Sequence, residues 1–236
     1  EVRPLREMTG RALFNEVFLD GARVAAGNLI GGLNDGWRVA NTTLMVERSG
    51  IGGANAGGAG SAAPGSVAGH LERLATAQAG KRSGLSSGAV GHSTLVLLQE
   101  LAAERGLLDD ATVRQGLAEL HTRLQILRWG GMRAKVASTR TGGEGNIGKI
   151  FMSEIICHTR DLAGRILGPD AMLYGPDSVT GGVLQELTLF SPAPSIYGGT
   201  DEVQRNIIGE RVLGLPKEPG PGRDTSFRDL LHNPVA

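Results

Sequence analysis

Between residues 110 and 138, Val113, Leu117, Leu120, Leu124 and Leu127 recur at steps of four, three, four and three. A β-strand alternates its side chains with a period of two and cannot keep these five on one side. An α-helix of 3.6 residues per turn aligns them in one stripe. A helix of that length must lay its stripe against other elements, and shorter stripes of the same period recur along the chain. They predict helices over 35–52, 66–80, 92–105, 146–167 and 200–213, with a short one near 178–190. The expected fold is mainly α, an antiparallel helical bundle over 34–217.

Residues 1–33 follow a different rule. VRPL and ALFNEVFLDGARVAAGNLIG alternate apolar and polar side chains (Leu13, Asn15, Val17, Leu19) and contain a turn signal at Asp20-Gly21, so they read as strands. A strand pair is marginal alone and has unpaired edges. This segment therefore reads as the remnant of a β-domain, completed by a longer polypeptide or by a partner. GIGGANAGGAGSAAPG (50–65) and AGKRSGLSSGAVG (79–91) read as Gly/Ala/Ser-rich insertions. They lack the βαβ setting that would turn their glycines into a dinucleotide fingerprint. Residues 218–236 read as a tail.

Composition excludes several classes. Lysine plus arginine (24) equals aspartate plus glutamate (24), so no net basic field points to nucleic acid. No run of apolar residues is long enough for a membrane span, and EVRPLREMTG has no apolar signal core. Cys157 is the single cysteine, and the five histidines have no ligand spacing, so no metal site is expected. A cytoplasmic location is expected.

Two places carry candidate chemistry. In SIYGGTDEVQRNIIGERVLGLP (195–216), Gly198 and Gly199 interrupt an apolar segment. Thr200 is placed to cap the helix that Asp201 and Glu202 open, where acidic residues complement the helix dipole. Upstream, Trp37, Ala40, Leu44, Glu47 and Ile51 share one helix face at steps of three, four, three and four. Glu47 thus sits in an apolar stripe. A carboxylate there is either paired with a neighbouring helix or held in a cleft, where desolvation raises its pKa toward that of a general base.

IYGGTDEVQRNIIGERVLGLP resembles the C-terminal signature of the acyl-CoA dehydrogenase family. LLDDATVRQGLAELHTRLQILRW with NIGKIFMSEIICHTRDLAGRILGPDAML is similar to the two long helices before that signature, and NDGWRVANTTLMVERSGIG to the first helix of the family's C-terminal bundle. The resemblance implies FAD-dependent oxidation of an acyl-CoA thioester to the 2,3-enoyl-CoA, with electron-transferring flavoprotein as acceptor. It also implies a homo-oligomer, or a hetero-oligomer with a homologue. Many members carry the catalytic glutamate where this chain has Gly198; other branches carry it in an L-x-x-E-R context, here Leu44 to Arg48, which assigns the base to Glu47. Arg48 is then either a contact to the acyl-CoA or an ion-pair partner within the bundle. Tyr197, Gly198 and Gly199 would lie along the substrate. Thr200 and Glu202 would touch FAD, or serve as cap and dipole complement alone. AGRILGPDAML resembles the family's flavin-adenosine loop and implicates Arg165 and Gly168, although Pro169 replaces a glycine there. The competing expectation is a non-catalytic subunit or helical interaction module that pairs with an active homologue.

Overall fold

The computed structural model describes residues 1–12, 14–51, 90–136, 141–175, 177–217, 219–220 and 225–230. The helix expected over 66–80 and most of both Gly-rich segments lie outside the described residues.

The architecture is the expected one: a two-stranded hairpin followed by a helical bundle. Strands β1 (Val2–Leu5) and β2 (Phe14–Val17) pair antiparallel, with Val2 opposite Val17 and Leu5 opposite Phe14. All eight strand residues are exposed. The alternation located β2, but the reversal lies between Leu5 and Phe14 rather than at Asp20-Gly21. No strand follows Gly21 among the described residues; the chain runs through a 3₁₀ turn at Ala26–Asn28 instead. Apolar alternation makes a strand only where a second edge supplies backbone partners, and 22–33 has none among the described residues.

Six α-helices follow among the described residues: α1 (Gly36–Ile51), α2 (His92–Glu104), α3 (Ala111–Arg133), α4 (Glu144–Leu167), α5 (Val183–Phe190) and α6 (Asp201–Ile207). Helix α3 starts where Asp110 caps it, its carboxylate accepting from the Thr112 and Val113 N–H groups at 2.8 and 3.0 Å. It ends at Arg133, short of the expected 138, just past the weak helix formers Gly130 and Gly131. Helix α6 is shorter than expected too, because its last turn, Ile208–Val212, widens into a π-helical turn.

The core forms where α2, α3, α4 and α5 meet. Leu98, Leu120, Ile155, Ile156, Ile166, Leu167 and Leu184 are buried to 1% exposure or less. Helix α4 is central, touching α1, α2, α3, α5 and α6. Its approach to α3 needs a glycine: a Cβ on Gly116 would come within 2.8 Å of a Leu162 methyl. The hairpin segment meets the bundle through Arg11, whose guanidinium donates to Glu186 on α5 at 2.6 Å, and through buried Thr9, whose carbonyl lies 3.5 Å from the Tyr174 hydroxyl.

Candidate functional site

The signature loop is built by its glycines and by the helix it leads into. After a 3₁₀ turn at Ala193–Ser195, Gly198 and Gly199 both take left-handed backbone angles, φ +64° and +91°. At Gly199 a side chain is also excluded by space, since a Cβ would lie 2.6 Å from Gln204 Nε2. Thr200 then caps α6, its hydroxyl oxygen accepting from the Val203 N–H at 3.3 Å. Tyr197 is 38% exposed and leans on the tilted Phe190 ring, 6.3 Å between centroids, and the burial of its covered part pushes its phenol above the ordinary value. Glu202 is exposed on the first turn of α6. Tyr197, Gly198, Gly199, Thr200 and Glu202 are thus brought together.

Beneath them lies a polar cluster that sequence reasoning missed. Lys149 on α4 is only 1% exposed, and its ammonium donates to Asp201 at 2.8 Å. The Ser153 hydroxyl donates to the same carboxylate oxygen at 2.9 Å. Burial alone would raise the Asp201 pKa, but hydrogen bonds from Lys149, Ser153 and Ser195 outweigh it and hold the carboxyl below its ordinary value. One turn back, the Asn146 amide donates to Gln204 Oε1 at 2.5 Å, and Gln204 Nε2 donates to the Gly198 carbonyl at 2.7 Å. Gln204 is completely buried. The available signal was the spacing of Asn146, Lys149 and Ser153, polar residues at steps of three and four on one face of a helix.

The structure does not bring Arg165 and Gly168 to this loop. They sit at the other end of α4, about 24 and 28 Å along the axis from Lys149 at 1.5 Å per residue. Arg165 is exposed and near Asp110, whose carboxyl is held low first by the Val113 and Thr112 N–H groups and, to a smaller extent, by Arg165. Gly168 takes the positive φ that stops the helix, and Arg105 closes the end by donating to the Leu167 carbonyl at 2.9 Å. That end is braced by the chain's own side chains.

Helix α1 carries Glu47 and Arg48, as expected, and packs on α4, the helix that also holds the signature loop. The side chains of residues 46–51 lie outside the described residues. Of the face that Glu47 shares, Trp37 is 79% exposed and Leu44 40%. Val39 and Ala40 are half-buried, so within this stripe Ala40 is partly covered while Trp37 and Leu44 face water.

The loop suits the edge of a polar, planar cofactor such as a flavin. The Gly199 and Thr200 N–H groups have no backbone partner among the described residues, and Glu202 is exposed in the first turn that follows. Arg165 and Gly168 cannot join that same edge. No cluster of potential metal ligands occurs among the described residues, and no helix there is long and apolar enough to cross a membrane.

Comparison with known proteins agrees with this architecture. The family model described as "Acyl-CoA dehydrogenase, C-terminal domain" matches residues 66–213. Acyl-CoA dehydrogenase IpdE1 of Mycolicibacterium smegmatis is 35% identical over 225 residues, 92% of this chain and 46% of the relative. IpdE1 of Mycobacterium tuberculosis is 34% identical over 224 residues, 92% of this chain and 48% of the relative. The chain thus spans about half the length of the curated relatives it matches. Two solved structures share the fold. The Tcur3481-Tcur3483 steroid ACAD aligns with a TM-score of 0.66 at 20% identity, over 92% of this chain and 49% of that one. The ChsE4-ChsE5 complex from Mycobacterium tuberculosis aligns with a TM-score of 0.65 at 22% identity, over 93% and 50%. With its helical bundle, its glycine-threonine loop and a family match over most of its length, this chain belongs to the acyl-CoA dehydrogenase family.

Proposed function

We propose that this chain is the C-terminal half of an FAD-dependent acyl-CoA dehydrogenase and supplies its catalytic base, Glu47. The observation that carries the reading is that α1 and the signature loop are both seated on α4, while the loop has only a glycine, Gly198, where a carboxylate would otherwise stand. Glu47 would take the α-proton of the thioester. Arg48 would neutralise negative charge on the acyl-CoA, and the 197–199 backbone would lie along the thioester. Thr200 and Glu202 would hold one edge of the FAD. When bound, FAD would supply the hydride acceptor for the β-carbon. Arg165 and Gly168, at the far end of α4, would serve a different part of the cofactor or that of a neighbouring protomer. Electron-transferring flavoprotein would take the electrons onward, in the cytoplasm. The exposed Ile126, Trp129 and Met132 on α3 suit assembly with a second copy or a homologue.

The test is Glu47→Gln in the full-length, flavin-loaded protein. Flavin reduction by a panel of straight-chain, branched and steroid-derived acyl-CoAs should fall about 10²–10⁴-fold, the usual loss on removing a general base, with thioester binding nearly unchanged. Near-normal reduction would remove Glu47 from the role. A second reading, a non-catalytic subunit beside an active homologue, is favoured by the bracing of the Arg165–Gly168 end with the chain's own groups. A purified assembly without flavin absorbance at this chain's site would select it.

A further inference from the structure

Three polar side chains on one face of α4, all buried, reach two residues of α6: Gln204, which is fully buried, and Asp201, which is partly buried. Lys149 and Ser153 share Asp201 Oδ1; Asn146 donates to the Gln204 amide oxygen. The consequence appears in the loop. Gln204 turns its Nε2 toward the Gly198 carbonyl at 2.7 Å and the Gly199 carbonyl at 3.4 Å. It cannot flip its amide, because Asn146 would then face a donor and both carbonyls an acceptor. In a trans peptide the N–H points opposite to the C=O, so holding these two carbonyls inward turns the Gly199 and Thr200 N–H groups away from Gln204. We propose that Asn146, Lys149, Ser153, Asp201 and Gln204 form a polar latch, a set of positioning residues that fixes the 197–200 backbone for the acyl thioester and cofactor edge.

Two observations argue that the latch does more than pack helices. Burying a lysine costs more than burying an apolar residue of similar volume in the same place. The neighbouring Ile147, which would serve that purpose, is instead 50% exposed. The Asn146–Gln204 arm also passes through α6 to end on loop carbonyls, those of Gly198 and Gly199.

The proposal rests on reading the loop as substrate-contacting, and its test separates the two ideas. In the full-length, flavin-loaded protein, Asn146→Leu with Gln204→Leu replaces both partners of a buried hydrogen bond by apolar groups of similar size, a change that can be nearly neutral for stability. Thermal unfolding, hydrogen exchange of the peptide spanning 197–203, and KM and kcat for an acyl-CoA are measured together. A positioning role predicts a nearly unchanged unfolding temperature, exchange faster by about tenfold or more, and kcat/KM lower by up to about 10²-fold, the scale of an ångström-sized misplacement. Unchanged exchange, or faster exchange with unchanged KM and kcat, would overturn it. Should the double variant not fold, Ser153→Ala removes one hydroxyl and keeps the ion pair. Its exchange and kcat/KM should then change about two- to threefold, and no change in either would overturn the latch. A wild-type protein that accepts no acyl-CoA would refute the functional reading alone, leaving exchange to decide the latch.

Discussion

The two ends of α4 solve opposite problems. From Ile155 to Leu167 the helix is conventional: Ile155, Ile156, Leu162, Ala163, Ile166 and Leu167 are buried, while Arg160, Asp161 and Arg165 are at least partly accessible. From Asn146 to Ser153 it is inside out, with Lys149 at 1% exposure and Ile147 at 50%. The first end gains stability from area removed from water, which tolerates substitution of one hydrocarbon for another. The second gains little net stability from an ion pair whose desolvation offsets most of its attraction. What it adds is direction, because hydrogen bonds fix angles and apolar contacts do not. The inverted end is the one beneath the signature loop.

The comparison can be broken most forcefully at the conventional end, where Ile155→Ala should cost about 2–5 kcal/mol through lost transfer energy and the cavity left behind, with no partner substitution able to restore it. At the inverted end, Lys149→Met leaves the partly buried Asp201 carboxylate without its cation and should cost up to about 3 kcal/mol in chemical denaturation, the low end for a buried pair. Adding Asp201→Asn should recover much of that loss, since the uncompensated charge is then gone. A double variant no more stable than the single one would mean that Lys149 is simply part of the packing.

A smaller effect is expected at the α3–α4 crossing. Gly116→Ala sets a methyl 2.8 Å from Leu162; overpacking of about 1–3 kcal/mol is offset by about 1 kcal/mol of improved helix propensity. A net loss of about 1 kcal/mol is expected, and a gain in stability would show that Leu162 yields freely.

Acid sharpens the contrast with the smallest signal. The Asp201 pKa is lower folded than unfolded, so its contribution is fully present above the unfolded value of about 3.9 and is lost as pH falls through the folded value. In unfolding titrations between pH 6 and 3, Asp201→Asn should flatten the acid limb, whereas Ile155→Ala should lower the whole curve and keep its slope. Equal slopes in all three proteins would remove Asp201 from the acid response.

How much of this was legible follows the same division. The Val113–Leu127 stripe foretold α3 because a repeat of 3.6 is written in local sequence. The Gly198–Thr200 turn was legible because left-handed backbone and a helix cap have residue-type signatures. The burial of Lys149 was not, because its partner stands 52 residues downstream and an isolated lysine on a helix reads as solvated. Trp37 shows the converse: it lies on the apolar stripe of α1 yet is 79% exposed, because cover depends on distant elements that a local stripe does not specify. The strand expected after Asp20-Gly21 does not form, since alternation states what a strand would bury and not whether a neighbouring edge exists.

The Arg11–Glu186 pair joins positions 175 residues apart. Closing so long a loop carries an entropy cost that grows with the logarithm of its length, and contacts of large sequence separation form slowly. The helices of the bundle meet through much shorter separations, so the bundle should assemble first and the hairpin arrive as a late docking event. Throughout that interval Val2, Leu5, Phe14, Val17 and Phe18 face water on a strand pair with open edges, the arrangement most prone to pairing with the wrong chain. The yield of native protein should therefore depend on how soon the correct neighbour reaches that edge during synthesis.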